Sequence, residues 1–370
     1  MHCTQVSYTN FRNIKAGQLQ LEPGLNVLYG KNAQGKTNAL EGIFLCAGGR
    51  SHRTSRERDF ILHGEEHGGV EVKYQDAHRS NTLRLFWSRN GKRECSKNAV
   101  PLPKMSEFIG NLRAVFFYPE HLSIIRDGPA ERRGFLDGAI SQIDPVYLGN
   151  LREYYAALAQ RNRLLSDYFT DRATFDATIE IWSEKLAEFA AKVAVRRVEY
   201  VEKLSTSLVE IFADMTSATE KPKLTYKSHG LQEEYFRQLT TNLEREARTG
   251  LTLYGIHRED VEIGLNGYPA RNFGSQGQQR SLAIALKFAE GEISHKLTGE
   301  RPVYLLDDVL SELDSGRREY ILRNMNAGQT IITCADTEYH TLNTMGLTDG
   351  VNVISVEEGK MRNSEREMRN

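Results

Sequence analysis

A glycine-rich segment is the part of the chain whose residue types and spacing most clearly suggest chemistry. It follows Leu25–Tyr29, a run that favours a β-strand, and precedes residues 38–47, which favour a helix. Glycines let the backbone turn so that successive N–H groups point inward, and the N-terminus of a helix adds a partial positive charge. This arrangement is typical of a loop that holds the phosphates of a nucleotide. The segment comprises Gly30, Lys31, Asn32, Ala33, Gln34, Gly35, Lys36 and Thr37.

Two side chains of this loop predict the chemistry of the bound group. We expect Lys36 to reach the β- and γ-phosphates of ATP as a mobile charge, and the hydroxyl of Thr37 to ligate Mg²⁺. Asn38 follows directly and completes the predicted ATP contacts. A chance glycine turn would not be expected between a strand and a helix in this register.

Two carboxylates follow another apolar run. Residues 303–306 predict a buried strand, and Asp307 and Asp308 stand at its C-terminal end, where α/β sheets hold their ligands. We predict that Asp307 binds Mg²⁺ and that Asp308 orients or deprotonates the attacking water. Acidic residues at a strand end also serve as helix caps, but beside a phosphate loop they indicate hydrolysis. Lys36, Asp307 and Asp308 are therefore the predicted catalytic residues.

A third motif lies ahead of a predicted helix at 281–297. Ser275, Gly277 and Gln278 are spaced there as in the signature sequence of ABC-type ATPases, which this segment resembles. A serine and a glycine amide at a helix N-terminus form a second anion site, and one nucleotide cannot easily use both sites of a single chain. The resemblance implies that Ser275 and Gly277 contact ATP held by a second copy. The alternative is a glycine-rich helix cap without a ligand.

The long interval between these motifs predicts an inserted helical region. Asp144 and Pro145 read as an N-cap and a first helical position, and apolar residues recur every three or four positions between 174 and 215. A helix of about 40 residues would span ~60 Å. It is either a projecting arm or a long helix packed on its own domain. We predict an α/β ABC-type head with mixed sheets: an ATPase lobe at 1–135 and 300–370, and a helical, arm-like lobe at 136–299.

Composition excludes several classes of protein. The formal net charge is −1 and the pI about 6.8, so any nucleic-acid surface must be local. No signal peptide and no run of about 18 apolar residues is seen, which predicts a cytoplasmic protein without a membrane partner. The four cysteines are widely spaced, which offers neither a zinc site nor a disulfide framework.

Taken end to end, the chain resembles the RecF family of ABC-type ATPases, which are similar to SMC and Rad50 heads. That resemblance implies a weak, DNA-stimulated ATPase that forms a homodimer with ATP on duplex, gapped or single-stranded DNA. It also implies cooperation with RecR, RecO and RecA in DNA repair. The segments that carry it are residues 10–13, 30–38, 49–53, 117–120, 132–137, 257–258, 274–280 and 307–314.

Further site residues follow from the resemblance. Asp314 matches the D-loop and would lie at the dimer interface near the nucleotide. Arg12 either contacts a phosphate or is an ordinary surface arginine. Residues 117–120 lack the glutamine, and residues 333–336 lack the histidine, that many ABC heads carry. Slow hydrolysis is expected, with Thr333 or Asp336 sensing the γ-phosphate.

The basic stretch of Arg50, His52, Arg53, Arg56 and Arg58 is the densest in the chain. It is either a surface for the DNA backbone or a solvated loop near the nucleotide. Two other functional classes stay open at this point. They are the soluble ATPase subunit of a transporter and a scaffold that binds nucleotide without turnover.

Overall fold

The chain forms two compact units in a computed structural model: residues 1–121 with 283–370, and residues 122–282. The lobes predicted from the sequence have different boundaries, at 135/136 and 299/300. Their assignment as functional lobes stays a prediction. The structure describes residues 1–51, 53–216, 220–309, 313, 315–325, 328–337, 339 and 351–363.

Strands and helices are numbered in chain order. The strands are β1 (His2–Phe11), β2 (Ile14–Gln20), β3 (Leu25–Tyr29), β4 (His67–Gln75), β5 (Ser80–Ser88), β6 (Arg93–Lys97), β7 (Val100–Pro101), β8 (Ala114–Phe117), β9 (Pro222–Lys227), β10 (Asp260–Leu265), β11 (Tyr268–Pro269), β12 (Val303–Asp307), β13 (Thr330–Cys334), β14 (Asn352–Glu357) and β15 (Lys360–Asn363). The helices are α1 (Lys36–Gly48), α2 (Met105–Phe108), α3 (Ser123–Arg126), α4 (Pro129–Ser141), α5 (Pro145–Ser166), α6 (Arg172–Thr216), α7 (Gln232–Thr241), α8 (Leu243–Thr249), α9 (Ala270–Phe273), α10 (Gln276–Thr298) and α11 (Ser315–Met325).

A mostly parallel sheet in the first unit carries the predicted catalytic motifs. Its strand order is β15-β14-β3-β13-β12-β8. All five residues of β12 and all five of β13 are buried, which is why both strands read as continuous apolar runs rather than as alternating patterns. Because β3 and β12 flank β13 in parallel, the residues that follow β3 and β12 meet at one edge of the sheet.

An antiparallel sheet, in the order β2-β1-β4-β5-β6-β7, forms the other layer of this unit. Strands β4 and β5 pair as an antiparallel hairpin, and Asn90 and Gly91 lie in the turn that leads from β5 to β6. Helix α1 contacts strands of both sheets. Its Gly42 permits this approach, because an added Cβ would lie 2.6 Å from the ring of Tyr8. The core is therefore continuous from the phosphate loop to both sheets.

Helices α5 and α6 dominate the second unit as an antiparallel hairpin. The predicted cap of α5 is confirmed: the Asp144 carboxylate accepts from the N–H of Tyr147 at 2.9 Å, and Pro145 is the first helical residue. Helix α6 has 45 residues, and its buried stripe packs against α5, α7 and β9. Within the described residues, no helix, α6 included, is long and apolar enough to span a membrane.

A buried ion pair ties the helices of the second unit together. The guanidinium of Arg161 lies 2.6 Å from the carboxylate of Glu246, and both side chains are fully buried. Its other N–H groups donate to the Ser183 hydroxyl on α6, the Thr252 hydroxyl and the Leu239 carbonyl on α7. Such a pair is tolerated in a core because every remaining polar group is satisfied.

Glu259 forms another buried polar cluster in this unit. Its fully buried carboxylate accepts from the hydroxyls of Tyr226 and Tyr235, and from the backbone N–H and ring Nδ1 of His229 at 2.8 and 3.0 Å. Burial alone would raise the pKa of Glu259, but the bonds from His229, Tyr226 and Tyr235 lower it below its usual value. The hydrogen bond with Glu259 in turn raises the pKa of His229.

The His229–Glu259 pair makes stability depend on pH. Folding raises the pKa of His229. The contribution of this pair to the free energy of unfolding is therefore complete below about pH 6.5, and it is lost as the pH rises through the pKa of His229 in the folded state. We expect His229→Gln to lower the free energy of unfolding by up to about 1 kcal/mol more at pH 6 than at pH 9, the size expected for a partly exposed pair. Urea unfolding measures this, with the exposed His63→Gln as control. An equal loss at both pH values would contradict the assignment.

Candidate nucleotide-binding site

The loop between β3 and α1 has the backbone that a phosphate cradle requires. Gly30 has φ 151°, and a Cβ there would lie 2.3 Å from the carbonyl oxygen of Val356 on β14. Gly35 has φ 110°, and its Cβ would lie 2.9 Å from the side chain of Asn13. Neither position accepts another residue without moving its neighbours. The two glycines of the motif are thus fixed by sterics as well as by their φ angles.

The start of α1 presents polar hydrogens to this loop. Gly35 is the N-cap and supplies no side-chain acceptor, so the first N–H groups of the helix are open to an anion. Lys36 folds back over the loop, where its Nζ donates to the carbonyls of Gly30 at 2.5 Å and Lys31 at 2.9 Å. A phosphate entering the loop would offer this ammonium a charged acceptor in place of neutral carbonyls.

The other predicted loop residues surround this cradle. Ala33 is in the left-handed region with φ 64°, and its carbonyl accepts from the Asn13 side chain at 3.4 Å. Gln34 holds the β14–β15 turn by accepting from the N–H groups of Glu358 and Gly359. The exposed residues Lys31 and Asn32 complete the loop.

Thr37 and Asp307 meet across the sheet. The Thr37 hydroxyl donates to Oδ1 of Asp307 at 2.9 Å, and the Thr333 hydroxyl donates to the same oxygen at 2.7 Å. Burial raises the pKa of the Asp307 carboxyl; these two hydrogen bonds oppose the shift, while the charges of Asp308 and Glu120 add to it. A hydroxyl and a buried carboxylate are the hard oxygen donors that Mg²⁺ prefers, so the residues fit the predicted ion.

Asp308 has a left-handed backbone conformation, which is unusual for a residue other than glycine. Its φ is 51°, and its N–H donates to the Thr333 hydroxyl at 3.0 Å, whereas its side chain is exposed at the end of β12. Thr333 therefore contacts the carboxylate of Asp307 and the backbone of Asp308. Glu120 approaches the same edge because β8 runs parallel to β12, with Phe117 opposite Leu306. Sequence reasoning had assigned no role to Glu120, although its position after a buried strand was a usable signal.

Arg12 is held by protein groups. It donates from Nε and Nη2 to the buried carboxylate of Glu41 at 2.9 and 2.6 Å, and from Nη1 to the Asp59 carbonyl at 2.9 Å. Its guanidinium also lies 5.2 Å from the centre of the Phe60 ring. The predicted phosphate contact of Arg12 stays a prediction. The sequence offered one signal for this ion pair: Glu41 is an isolated acidic residue in an apolar helical segment.

Asn38 lies in a chain of polar contacts beside the loop. Its side chain donates to Asn13 at 2.7 Å and accepts from the guanidinium of Arg53 at 2.7 Å. Arg53 also lies 3.7 Å from the Glu41 carboxylate, and Ser51 donates to that carboxylate at 2.5 Å. The contacts place the basic loop next to the predicted phosphate loop.

The signature residues in the second unit form a reciprocal helix cap. The N–H of Gln278 donates to the Ser275 hydroxyl oxygen at 3.2 Å, and the N–H of Ser275 donates to the Gln278 side chain at 2.6 Å. This S-x-x-Q arrangement is a capping box. Because Ser275 accepts in this bond, its own O–H can still donate to an anion. Gly277 lies in the first turn of α10, where a small residue leaves the N–H groups approachable.

The remaining predicted residue is Asp314, which lies outside the described residues, as does His52 of the basic stretch. Within the described part of the chain, no group of three or more His, Cys, Asp or Glu side chains could hold a metal ion. A Mg²⁺ site built on Thr37 and Asp307 would therefore rely on phosphate and water oxygens for its other ligands.

Comparison with known proteins places the chain in a family. The family described as RecF/RecN/SMC N terminal domain matches residues 2–361. The chain belongs to the RecF family. It is 38% identical over 348 residues to the DNA replication and repair protein RecF of Acetivibrio thermocellus, covering 91% of this chain and 94% of the relative. It is 35% identical over 369 residues to that of Clostridium acetobutylicum, covering 98% and 99%.

Solved structures agree with this membership. One described as the recombination mediator protein RecF-ATP in the RecFOR pathway superposes with a TM-score of 0.89 at 34% identity, covering 98% of this chain and 97% of that one. The Smc head domain of Pyrococcus furiosus matches with a TM-score of 0.55 at 18% identity, which speaks for the fold alone. The predicted fold class, an ABC-type ATPase head with mixed sheets and a helical arm, is confirmed.

The contact between Gly30 and β14 predicts a steric effect. We expect Gly30→Ala to displace Val356 and to weaken ATP binding at least about tenfold. Gly64→Ala is the matched control, because Gly64 also has a positive φ but an added Cβ there would have nothing within 4 Å, so only the backbone cost of about 1–2 kcal/mol applies. Thermal unfolding and nucleotide titration compare the two. Equal losses of stability and unchanged affinity would contradict this reading.

Proposed function

We propose that the chain is an ATP-dependent DNA-binding protein of recombinational repair that works in the cytoplasm. It binds ATP with Mg²⁺, dimerises on DNA, hydrolyses ATP slowly and, with RecR and RecO, helps to load RecA at single-stranded gaps. The similarity to proteins named for DNA replication and repair, and to a recombination mediator of the RecFOR pathway, supports this proposal.

The contact between Thr37 and Asp307 is the observation that carries the proposal. Their oxygens lie 2.9 Å apart beside the phosphate loop, in the arrangement that a Mg²⁺·ATP site needs. Thr37 and Asp307 would hold Mg²⁺, which would neutralise negative charge as it develops on the phosphates. The protein's part is to hold the phosphates on loop amides, to place the Lys36 ammonium on them and to position the Asp307 carboxyl group beside the Thr37 hydroxyl.

Hydrolysis is assigned to Asp308. Its exposed carboxylate stands at the end of β12, where it can orient a water and accept its proton. Thr333, the proposed γ-phosphate sensor, already bonds both Asp307 and the backbone of Asp308. No glutamine lies in residues 117–120 and no histidine in 333–336, so further help for the water is missing from these segments. Slow turnover is the consequence.

Dimerisation is assigned to the signature. The O–H of Ser275 and the N–H of Gly277 would donate to the γ-phosphate of ATP held by a second copy, and Gln278 would hold Ser275 in place through the helix cap. Asp314 would lie at the same interface. ATP binding would then close the homodimer, and loss of the γ-phosphate would remove the acceptor that these donors share.

DNA binding is assigned to the basic loop after α1. Arg50, Arg53, Arg56 and Arg58 are exposed there, and hydrogen bonds of Ser51 to backbone N–H groups give the loop a defined shape. Cations of this kind bind the DNA backbone without reading its sequence, so binding should weaken as salt is raised. The proximity of Arg53 to Asn38 puts this surface beside the nucleotide.

Removing the loop ammonium tests the proposal. We expect Lys36→Ala to abolish ATP-dependent dimerisation in sedimentation, with and without DNA, because the phosphates lose their mobile counter-charge. Lys15→Ala removes an exposed lysine of the same unit and should leave dimerisation unchanged. A Lys36→Ala protein that still dimerises with ATP would refute the switch. A wild-type dimer that forms but never turns over ATP would indicate a scaffold instead.

A further inference from the structure

Two large aromatic side chains stay exposed next to the signature. Tyr268 is 62% exposed and Phe273 is 69% exposed, and their ring centres lie 5.5 Å apart. Exposed aromatic residues that contact each other form an apolar patch, and such patches on soluble proteins commonly mark binding surfaces. The first ring follows β10 on β11, and the second ends α9, directly before Gly274.

The pair is held rigidly on both sides. A two-residue turn, Asn266 and Gly267 with φ 53° and 84°, joins β10 to β11 and fixes the direction of Tyr268. Gly274 closes α9 by donating to the carbonyl of Ala270 at 3.0 Å. An added Cβ at Gly274 would lie 2.6 Å from that carbonyl, so the turn is compact.

Gln279 links this patch to the signature helix. Its buried side chain donates to the carbonyls of Ala270 and Arg271 at 3.0 and 3.1 Å and accepts from Arg126 at 2.8 Å. Gln279 lies on α10, one turn after Ser275, so α9 and the start of α10 form one body. The aromatic pair cannot move away from Ser275 without breaking these bonds.

We propose that Tyr268 and Phe273 are a contact surface for a second copy of this chain. The inference rests on the proposed signature-to-nucleotide dimer. Ser275 lies two positions after Phe273, so their Cα atoms are at most about 7 Å apart along the chain. A partner that brings its ATP to Ser275 must therefore cover Phe273 as well.

The chemistry of the patch fits a protein partner. Buried aromatic residues are enriched at the centres of protein interfaces and carry a large share of the binding energy. Nucleic acid is the competing occupant, because bases also stack on aromatic rings. The pair lies next to Ser275, whose O–H is proposed to donate to ATP held by a second copy. This position favours a second copy over nucleic acid as the occupant of the patch.

Burial of the pair is measured by fluorescence. Phe273→Trp places an indole at an exposed position. The chain also has two native tryptophans, Trp87 and Trp182, and their fluorescence is subtracted by measuring the parent protein. Phe169→Trp is the matched control, because Phe169 is 76% exposed in the same unit but contacts Tyr168 instead. With Mg²⁺ and a non-hydrolysable ATP analogue, we expect the indole at 273 to shift to the blue and that at 169 to stay unchanged.

Affinity gives an independent readout. Phe273→Ala should weaken analogue-driven dimerisation by about tenfold or more, as removal of an interface aromatic does. It should leave the affinity of the monomer for the analogue unchanged, since Phe273 belongs neither to the phosphate loop nor to the strands and helix that flank it. Phe169→Ala should change neither value.

The outcomes separate this inference from the proposed function. A dimer that forms with no shift at 273 and no loss in Phe273→Ala overturns the inference and leaves the proposed function intact. A shift with DNA alone, without nucleotide, also overturns it and assigns the patch to nucleic acid. If the wild-type chain forms no dimer with the analogue at any concentration tested, the proposed function and the inference both fail.

Discussion

The hydrogen bond between Thr37 and Asp307 is the contact on which the account of this protein depends. It joins residues that are far apart in the chain, and it exists because β3 and β12 lie on either side of β13 in one parallel sheet. Parallel strands put their C-terminal ends at the same edge, so the helix that starts after one strand faces the carboxylate that ends the other. A sheet with another strand order would separate the two residues of the proposed Mg²⁺ site.

The rest of the first unit supports this edge. The antiparallel sheet packs α1 from one side, and the close approach at Gly42 fixes the height of the helix. The β14–β15 turn closes the back of the phosphate loop through Gln34 and the tight contact at Gly30. Rigidity of this kind serves phosphate binding, since amides that are already oriented need no ordering when the ligand arrives.

Local patterns in the sequence were enough to predict the parts of the site that are local in the chain. The glycine spacing predicted the loop, the apolar run before Asp307 predicted a buried strand, and Asp144 predicted a helix start. Contacts made by folding were harder to predict. The pairing of Arg12 with Glu41, the approach of Glu120 to Asp307 and the cluster around Glu259 join segments that no sequence period connects. The boundary between the two compact units gives no signal in the sequence either, because α10 runs through the change at 282/283 without a break in its pattern.

The hydrogen bonds of the signature segment hold it in place and still leave the Ser275 O–H able to donate. Ser275 uses its oxygen to cap α10 and keeps its proton for an anion, and Gln279 fixes the preceding aromatic pair to the same helix. A donor, open amides and an apolar patch are thereby offered together to whatever approaches the start of α10. The cap opposes the chain entropy that an exposed glycine-rich turn would otherwise gain by losing its fixed conformation.

The central claim is that one nucleotide is held by two copies, and subunit mixing measures it most directly. Chains with Lys36→Ala lack the phosphate ligand, and chains with Ser275→Arg lack the signature donor, so each should be inactive alone. In a mixture, one of the two sites in each mixed dimer combines an intact phosphate loop with an intact signature, so mixing should restore ATPase activity up to about half of the wild-type value. A mixture no more active than its two components would show that each chain completes its own site, which contradicts the account.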